Sequence, residues 1–257
     1  MKLFKRIVTA VVVLGLGTGV GWWVFYAAYT SLTALPTADE IAAPQNISKS
    51  LPAEERIAVK KSRQSTVQIL SLSFDGAIAS STGTYIKSGD SHYVLTVAHG
   101  LVGPCDATKI YIPEAGADAF YNCIAVPVFD PVVDYALIEI DELPLRVPIN
   151  IKRSLPRTSQ WKDHLASQTK VYYTGYPNSN GPFTVPGTIV GYDRSDYIYL
   201  YSYAFGGASG SGVFTTDGKL IGYLLAIDVG NTEFGVQVIE SVVVVVPVFK
   251  VDWASIF

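Results

Sequence analysis

Hydrophobic positions follow two different patterns along this chain. Residues 7–29 form one apolar run without a charged side chain. From residue 65 onward, short runs rich in Val, Ile, Tyr and Thr alternate with Gly, Pro, Asn and Asp clusters. These runs fall at 66–72, 83–87, 93–97, 109–112, 136–140, 170–173, 188–192, 197–201, 212–215, 220–227 and 234–239. Short β-prone runs closed by turn residues predict an all-β sandwich or barrel. The valines at 242–246, followed by Pro247, fit a strand or a buried helix equally well. Residues 252–257 fit a closing helical turn. Between the two regimes, residues 30–63 carry Pro36, Pro44 and Pro52 among small and polar side chains. This stretch reads as a linker with room for a short helix. The expected organisation is therefore an apolar N-terminal segment over 1–29, a linker over 30–63 and a folded domain over 64–257.

The apolar run is long enough to cross a bilayer. At ~1.5 Å per residue it spans roughly 34 Å as a helix, against a hydrocarbon core of about 30 Å. Lys2, Lys5 and Arg6 precede it, and no Lys or Arg follows before Lys49. That asymmetry predicts a single-pass transmembrane helix with a cytoplasmic N-terminus and a periplasmic or extracellular domain. Trp22, Trp23, Phe25, Tyr26 and Tyr29 cluster at its far end, where aromatic rings favour the headgroup layer. The alternative is a cleaved signal peptide. Such a segment has a shorter apolar core and a small-x-small cleavage site, and this run is longer and lacks a clear one. Both readings export the domain. Export gives the two cysteines a meaning: Cys105 and Cys123 are expected to form a disulfide, with two buried thiols as the alternative.

Composition narrows the function. With 49% apolar and 16% charged residues the chain is no disordered protein. A net charge of −3 advertises no nucleic-acid partner. No nucleotide-binding loop or metal-ligand cluster is present in the sequence, so no cofactor is expected.

Three short segments carry chemistry. Phe205-Gly-Gly-Ala-Ser209-Gly-Ser-Gly sets a serine inside a glycine-rich turn before a β run. A serine attacking a carbonyl needs an exposed hydroxyl and free backbone N–H groups for the developing oxyanion, and glycine permits the necessary dihedrals. A flexible surface loop would look similar. Tyr93-Val-Leu-Thr-Val-Ala-His99 ends an apolar run on a histidine, which could be a base or a packed side chain. Asp130-Pro-Val-Val-Asp134-Tyr-Ala-Leu-Ile puts a carboxylate at the mouth of a strand, where it could orient an imidazole or serve a turn.

In the chain order His99, Asp134, Ser209, these segments resemble the chymotrypsin/trypsin-like serine peptidases, in particular their bacterial branch. Leu95-Thr-Val-Ala-His99 is similar to that family's Thr-Ala-Ala-His segment. Asp134-Tyr-Ala-Leu-Ile is similar to its Asp-Ile-Ala-Leu segment, and Gly207-Ala-Ser209-Gly-Ser-Gly to its Gly-Asp-Ser-Gly-Gly-Pro segment. The resemblance covers about residues 65–239. It implies two antiparallel six-stranded β-barrels with a cleft between them. His99 and Asp134 would come from the first and Ser209 from the second. It further implies a serine endopeptidase acting on protein or peptide substrates, with an oxyanion hole made by the N–H groups of Gly207 and Ser209. By the same layout, Tyr203 would lie near the floor of a substrate pocket walled around Ala226, Asp228 and Gly235. No acid stands at the floor position, which implies an apolar or small preferred side chain. Ala208 and Ser211-Gly212 depart from the family's motif. Arg56-Ile57-Ala-Val is a poor match to its activation site, so no such zymogen step is expected. The alternative to an enzyme is a silent peptide-binding sensor or adaptor on the same fold.

Overall fold

The computed structural model describes residues 43–116, 119–232 and 235–256, and for 115 and 226–240 the backbone alone. The expected membrane segment at 7–29 lies outside the described residues. Among the described residues no helix is long and apolar enough to cross a membrane.

The first element is α1 (Ala53–Ser65), inside and just beyond the stretch read as a linker. Glu54 and Glu55 in its first turn and Arg63 in its last complement the helix dipole. Glu55, Ala58, Val59, Ser62 and Ser65 are buried, a spacing that places them on one helical face. That face lies mainly on the second half of the protein. Ser62 Oγ donates to Thr174 Oγ1 at 2.7 Å, and Lys61 Nζ donates to the Gly218 carbonyl at 2.7 Å. The Tyr172 hydroxyl donates to Glu55, which also pairs with Lys170 at 3.2 Å. Tyr172 holds the Glu55 carboxyl below the usual carboxylate range, against the opposing effect of burial. A chain entering the first sheet is thus strapped to the second.

The first sheet contains β1 (Thr66–Leu72), β2 (Ile78–Ser88), β3 (Ser91–Thr96), β4 (Thr108–Tyr111), β5 (Phe120–Asn122), β6 (Ala125–Asp130) and β7 (Tyr135–Ile140). Their order is β5-β4-β1-β2-β3-β7-β6, all antiparallel, and β8 (Ile149–Asn150) pairs in parallel with β2. The second half is a closed barrel of β9 (Lys170–Gly175), β10 (Phe183–Tyr192), β11 (Ile198–Tyr201), β12 (Gly212–Thr215), β13 (Leu220–Thr232) and β14 (Gly235–Pro247), in the order β10-β11-β14-β13-β12-β9. The valine run at 242–246 is strand, paired to β11 and β13.

The expectation of two six-stranded barrels is therefore corrected for the first half. It has eight strands, and no ladder closes it among the described residues. Its edge strands β5 and β6 are successive in the chain, joined only by Cys123 and Ile124. The sheet must roll so that its edges meet, because two residues reach only about 10 Å. Pro127 inside β6 has no N–H to give to a closing partner, and the strand bulges between Ala125 and Val128. A disulfide joins Cys105, in the turn before β4, to Cys123, just after β5, and so ties the edge strand to its neighbour.

Alternation along the strands builds three cores. Val67, Ile69, Tyr85, Val94 and Ile138 point into the rolled sheet. Val171, Tyr173, Leu200, Ile221 and Val243 fill the barrel. The opposite faces of the same strands supply Ile86, Leu95, Leu137, Tyr172 and Tyr223 to a third cluster, which α1 joins through Ala58 and Val59. This third cluster cements the two halves.

Candidate active site

His99 sits just past β3, in a single 3-10 turn over Ala98–Gly100. Val97 and Ala98 anchor the turn in the interior, while the His99 side chain remains 52% exposed. Gly100 has to be small, because a Cβ there would stand 2.6 Å from Ser81 Oγ on β2. The expected apolar run thus delivers its last side chain to the surface.

Asp134 lies in the hairpin between β6 and β7, at a φ of 66°. Aspartate is among the few residues with a side chain that tolerate this region. Asp130 shapes the approach, its Oδ1 accepting from the N–H groups of Val132 at 2.8 Å and Val133 at 3.0 Å. The Asp134 carboxylate then uses both oxygens on one partner. Oδ2 is 2.6 Å from His99 Nδ1, and Oδ1 accepts the His99 backbone N–H at 2.8 Å. A carboxylate can only accept, so Nδ1 carries the proton and Nε2 is left with its lone pair. Burial works to raise the Asp134 pKa; the hydrogen bonds from His99 and Ala98 and the nearby imidazole outweigh it and leave it below the ordinary value.

Ser209 occupies the turn before β12 and is half-buried. Two glycines with positive φ make the turn possible. Gly207 has φ 92°, and a Cβ on it would meet the Tyr176 carbonyl at 2.6 Å. Gly210 has φ 90°, and a Cβ on it would meet the Thr82 carbonyl at 2.0 Å. The turn is stitched to β2 of the other half. The Thr82 N–H donates to the Ser209 carbonyl at 2.9 Å, and Thr82 Oγ1 donates to the Gly207 carbonyl at 2.7 Å. Thr96 Oγ1, three residues before His99, in turn donates to the Thr82 carbonyl at 2.8 Å. One short relay of bonds therefore links the histidine-bearing strand to the serine turn. Among the described residues no hydrogen bond joins Ser209 Oγ to the His99 imidazole. The N–H groups of Gly207 and Ser209 donate to no protein acceptor among the described residues, which leaves them open to a ligand.

The other sequence expectations fall out as follows. Cys105 and Cys123 pair. Tyr203 is 58% exposed, with its carbonyl accepting from the Tyr173 hydroxyl, and borders a cavity of about 340 Å³ and a smaller one of about 50 Å³ beside Ala208. Ala226 and Asp228 belong to β13 and Gly235 opens β14, but their side chains lie outside the described residues. Sequence reasoning overlooked Thr82 and gave Ser211 no role. Neither residue type signals a function on its own; the fold brings Thr82 onto the serine turn and turns the Ser211 hydroxyl back onto the Ala208 carbonyl.

The sequence profile of the trypsin-like peptidase domain matches residues 81–222, more than half of the chain. The chain belongs to the trypsin-like peptidase family. The peptidase is accordingly a serine-type hydrolase. A search of curated protein sequences returned no match. Its fold is similar to that of bacterial proteases. The active form of the Rv3671c protease from M. tuberculosis aligns with a TM-score of 0.56 at 20% identity, over 77% of this chain and 81% of that one. The serine endoprotease from Yersinia pestis gives 0.56 at 22% identity, over 78% and 65%. The HtrA-type protease AlgW gives 0.58 at 20% identity, over 77% and 61%. The peptidase thus spans less than two thirds of the length of the latter two.

Proposed function

We propose that the peptidase is a membrane-anchored, exported endopeptidase that cleaves protein or peptide substrates through an acyl-enzyme on Ser209. The observation that carries this reading is the 2.6 Å pair of His99 and Asp134, which engages Nδ1 and leaves Nε2 free to act as the base. Ser209 Oγ attacks the scissile carbonyl as His99 Nε2 takes its proton. The imidazolium so formed is stabilised by Asp134 and returns the proton to the leaving amine. The N–H groups of Gly207 and Ser209 receive the developing oxyanion. Water then repeats the sequence on the ester and releases the acid. The hydrogen bond between Ser209 Oγ and His99 Nε2 forms on substrate binding, because catalytic hydrogen bonds commonly reach their working geometry only in the complex.

Export is supported by the uncharged run at 7–29, by the cationic residues before it, and by the disulfide, a bond favoured in oxidising compartments. No carboxylate stands at position 203, which favours an apolar or small residue on the acyl side of the cleaved bond.

Labelling the purified protein with a fluorophosphonate tests the chemistry. Labelling of the wild type that vanishes in Ser209→Ala is expected. A folded wild type that takes no label would instead favour the silent binding module. Cleavage of a peptide library tests the pocket, and strong preference for Arg would overturn the apolar assignment. Extraction of the full chain with membranes, in detergent but not in carbonate, tests the anchor.

A further inference from the structure

The serine turn between Gly206 and Ser211 has an uneven hydrogen-bond pattern. Every carbonyl in it is taken. Gly206 accepts from the Asn178 N–H at 2.6 Å, Gly207 from Thr82 Oγ1 at 2.7 Å and Ser209 from the Thr82 N–H at 2.9 Å. Gly210 accepts from Thr84 Oγ1 at 3.4 Å and Ser211 from the Leu224 N–H at 2.9 Å. Ala208 accepts twice, from Ser211 Oγ at 2.7 Å and from the Ser211 N–H at 3.1 Å.

A trans peptide points its N–H and C=O to opposite sides. The two N–H groups assigned to the oxyanion hole belong to the 206–207 and 208–209 peptides. Whatever grips the carbonyls of Gly206 and Ala208 therefore aims those two donors outward. For the first peptide the grip is a main-chain N–H that no ordinary substitution removes. For the second, the stronger of the two bonds comes from a side chain. Ala208 is buried and brings no polar atom of its own to hold the turn. Ser211 is 0% exposed, and among the described residues its hydroxyl has Ala208 as its only partner. The hydroxyl is also confined: a Cβ on Gly175 would stand 2.4 Å from it. Water has little room to take its place.

We propose that Ser211 is a positioning residue that fixes the 208–209 peptide, so that the Ser209 N–H faces the oxyanion. It touches neither substrate nor nucleophile and acts through the Ala208 carbonyl. Without its hydroxyl, a single 3.1 Å bond would hold that peptide, which could then turn its carbonyl toward the substrate and present the wrong charge. The inference rests on the Ser209 reading above.

The test is Ser211→Ala in the full chain, with turnover normalised to sites titrated by a fluorophosphonate. Complete loss of an oxyanion donor costs about 10²–10³ in rate, so partial misalignment is expected to lower kcat by roughly 10- to 100-fold. KM should stay within about twofold, because ground-state binding does not need the hole. Affinity for a peptide aldehyde, whose hemiacetal oxygen occupies the hole, should fall by the same factor as kcat/KM. A merely structural role for Ser211 would reduce the number of titratable sites and leave turnover per site and aldehyde affinity unchanged; that outcome overturns the proposal. Should Ser211→Ala not fold, Ser211→Cys keeps the volume with a weaker donor and is read by the same two criteria. A wild type that takes no label sinks the catalytic reading itself, a failure distinct from that of the Ser211 proposal.

Discussion

The rolled sheet and the closed barrel hold their parts of the site by different means. The barrel closes on its own ladder, and the serine turn it carries is fixed by six gripped carbonyls, each held by an uncharged donor. The rolled sheet has unjoined edges, a disulfide and charged pins. Its His99–Asp134 pair stands on two surface turns, joined by a single carboxylate. The environment of Ser209 should therefore respond to loss of shape, and that of His99 to loss of charge. An electrically neutral scaffold suits a turn held in one shape, while an ionised partner suits a side chain proposed to move a proton.

Substitutions can break this contrast, and the largest effect is expected at the nucleophile. Ser209→Ala should reduce kcat by about 10⁶ with little change in stability, as measured by steady-state peptide hydrolysis and thermal unfolding. Asp134→Asn should come next. It keeps the shape of the pair but lets the amide favour the wrong imidazole tautomer, so kcat should fall by about 10⁴. Comparable losses on replacing Thr82 by Val would erase the distinction between charge and shape.

Stability differences follow. Arg146 and Glu114 form a buried ion pair in the first half, and Arg146 also reaches the Thr66 carbonyl at 2.6 Å and the Tyr176 hydroxyl at 3.1 Å. Arg146→Ala leaves a carboxylate without its cation and should cost about 3–5 kcal/mol in urea unfolding. Replacing both cysteines by serine releases the edge of the rolled sheet and should cost about 3 kcal/mol on the chain-entropy account.

The smallest effect is that of pH. The folded pKa of Asp134 lies below its unfolded value, so the pair's stabilisation is fully present above the unfolded value, about 4. It is lost as pH falls through the folded value. The stability gap between wild type and Asp134→Asn should stay constant above about pH 5 and close in stronger acid. A gap that closed near neutrality would mean that the carboxylate is not the ionised partner.

Local pattern foretold much of the strand structure. The run at 66–72 is β1 and that at 212–215 is β12, because β-branched residues flanked by Gly, Ser and Asp leave little choice over so few positions. Strands β5, β6 and β8 were not foreseen. β5 and β8 have two or three residues each, and β6 carries a proline, so none shows a period. The segment at 30–63 was read as mostly linker. The face of α1 includes Glu55, Ser62 and Ser65, whose polarity hides the apolar stripe until their partners on the barrel are known.

His99, Asp134 and Ser209 stood out as candidates because chemistry restricts such positions to few residue types, set in short segments in one order along the chain, and the structure joins the first two. The same logic made Gly207 and Gly210 visible, since positive φ excludes most side chains. Thr82 and Ser211 carry no such mark. The Thr82 hydroxyl acquires its purpose only where β2 meets the serine turn, a contact between residues more than a hundred positions apart, and the Ser211 hydroxyl only once the turn folds back onto the Ala208 carbonyl. Order and chemical type are properties of the polymer, whereas a hydrogen bond depends on direction and distance. That is why candidate reacting groups could be picked out along the chain, and the hydrogen bonds that hold their turns only in the folded protein.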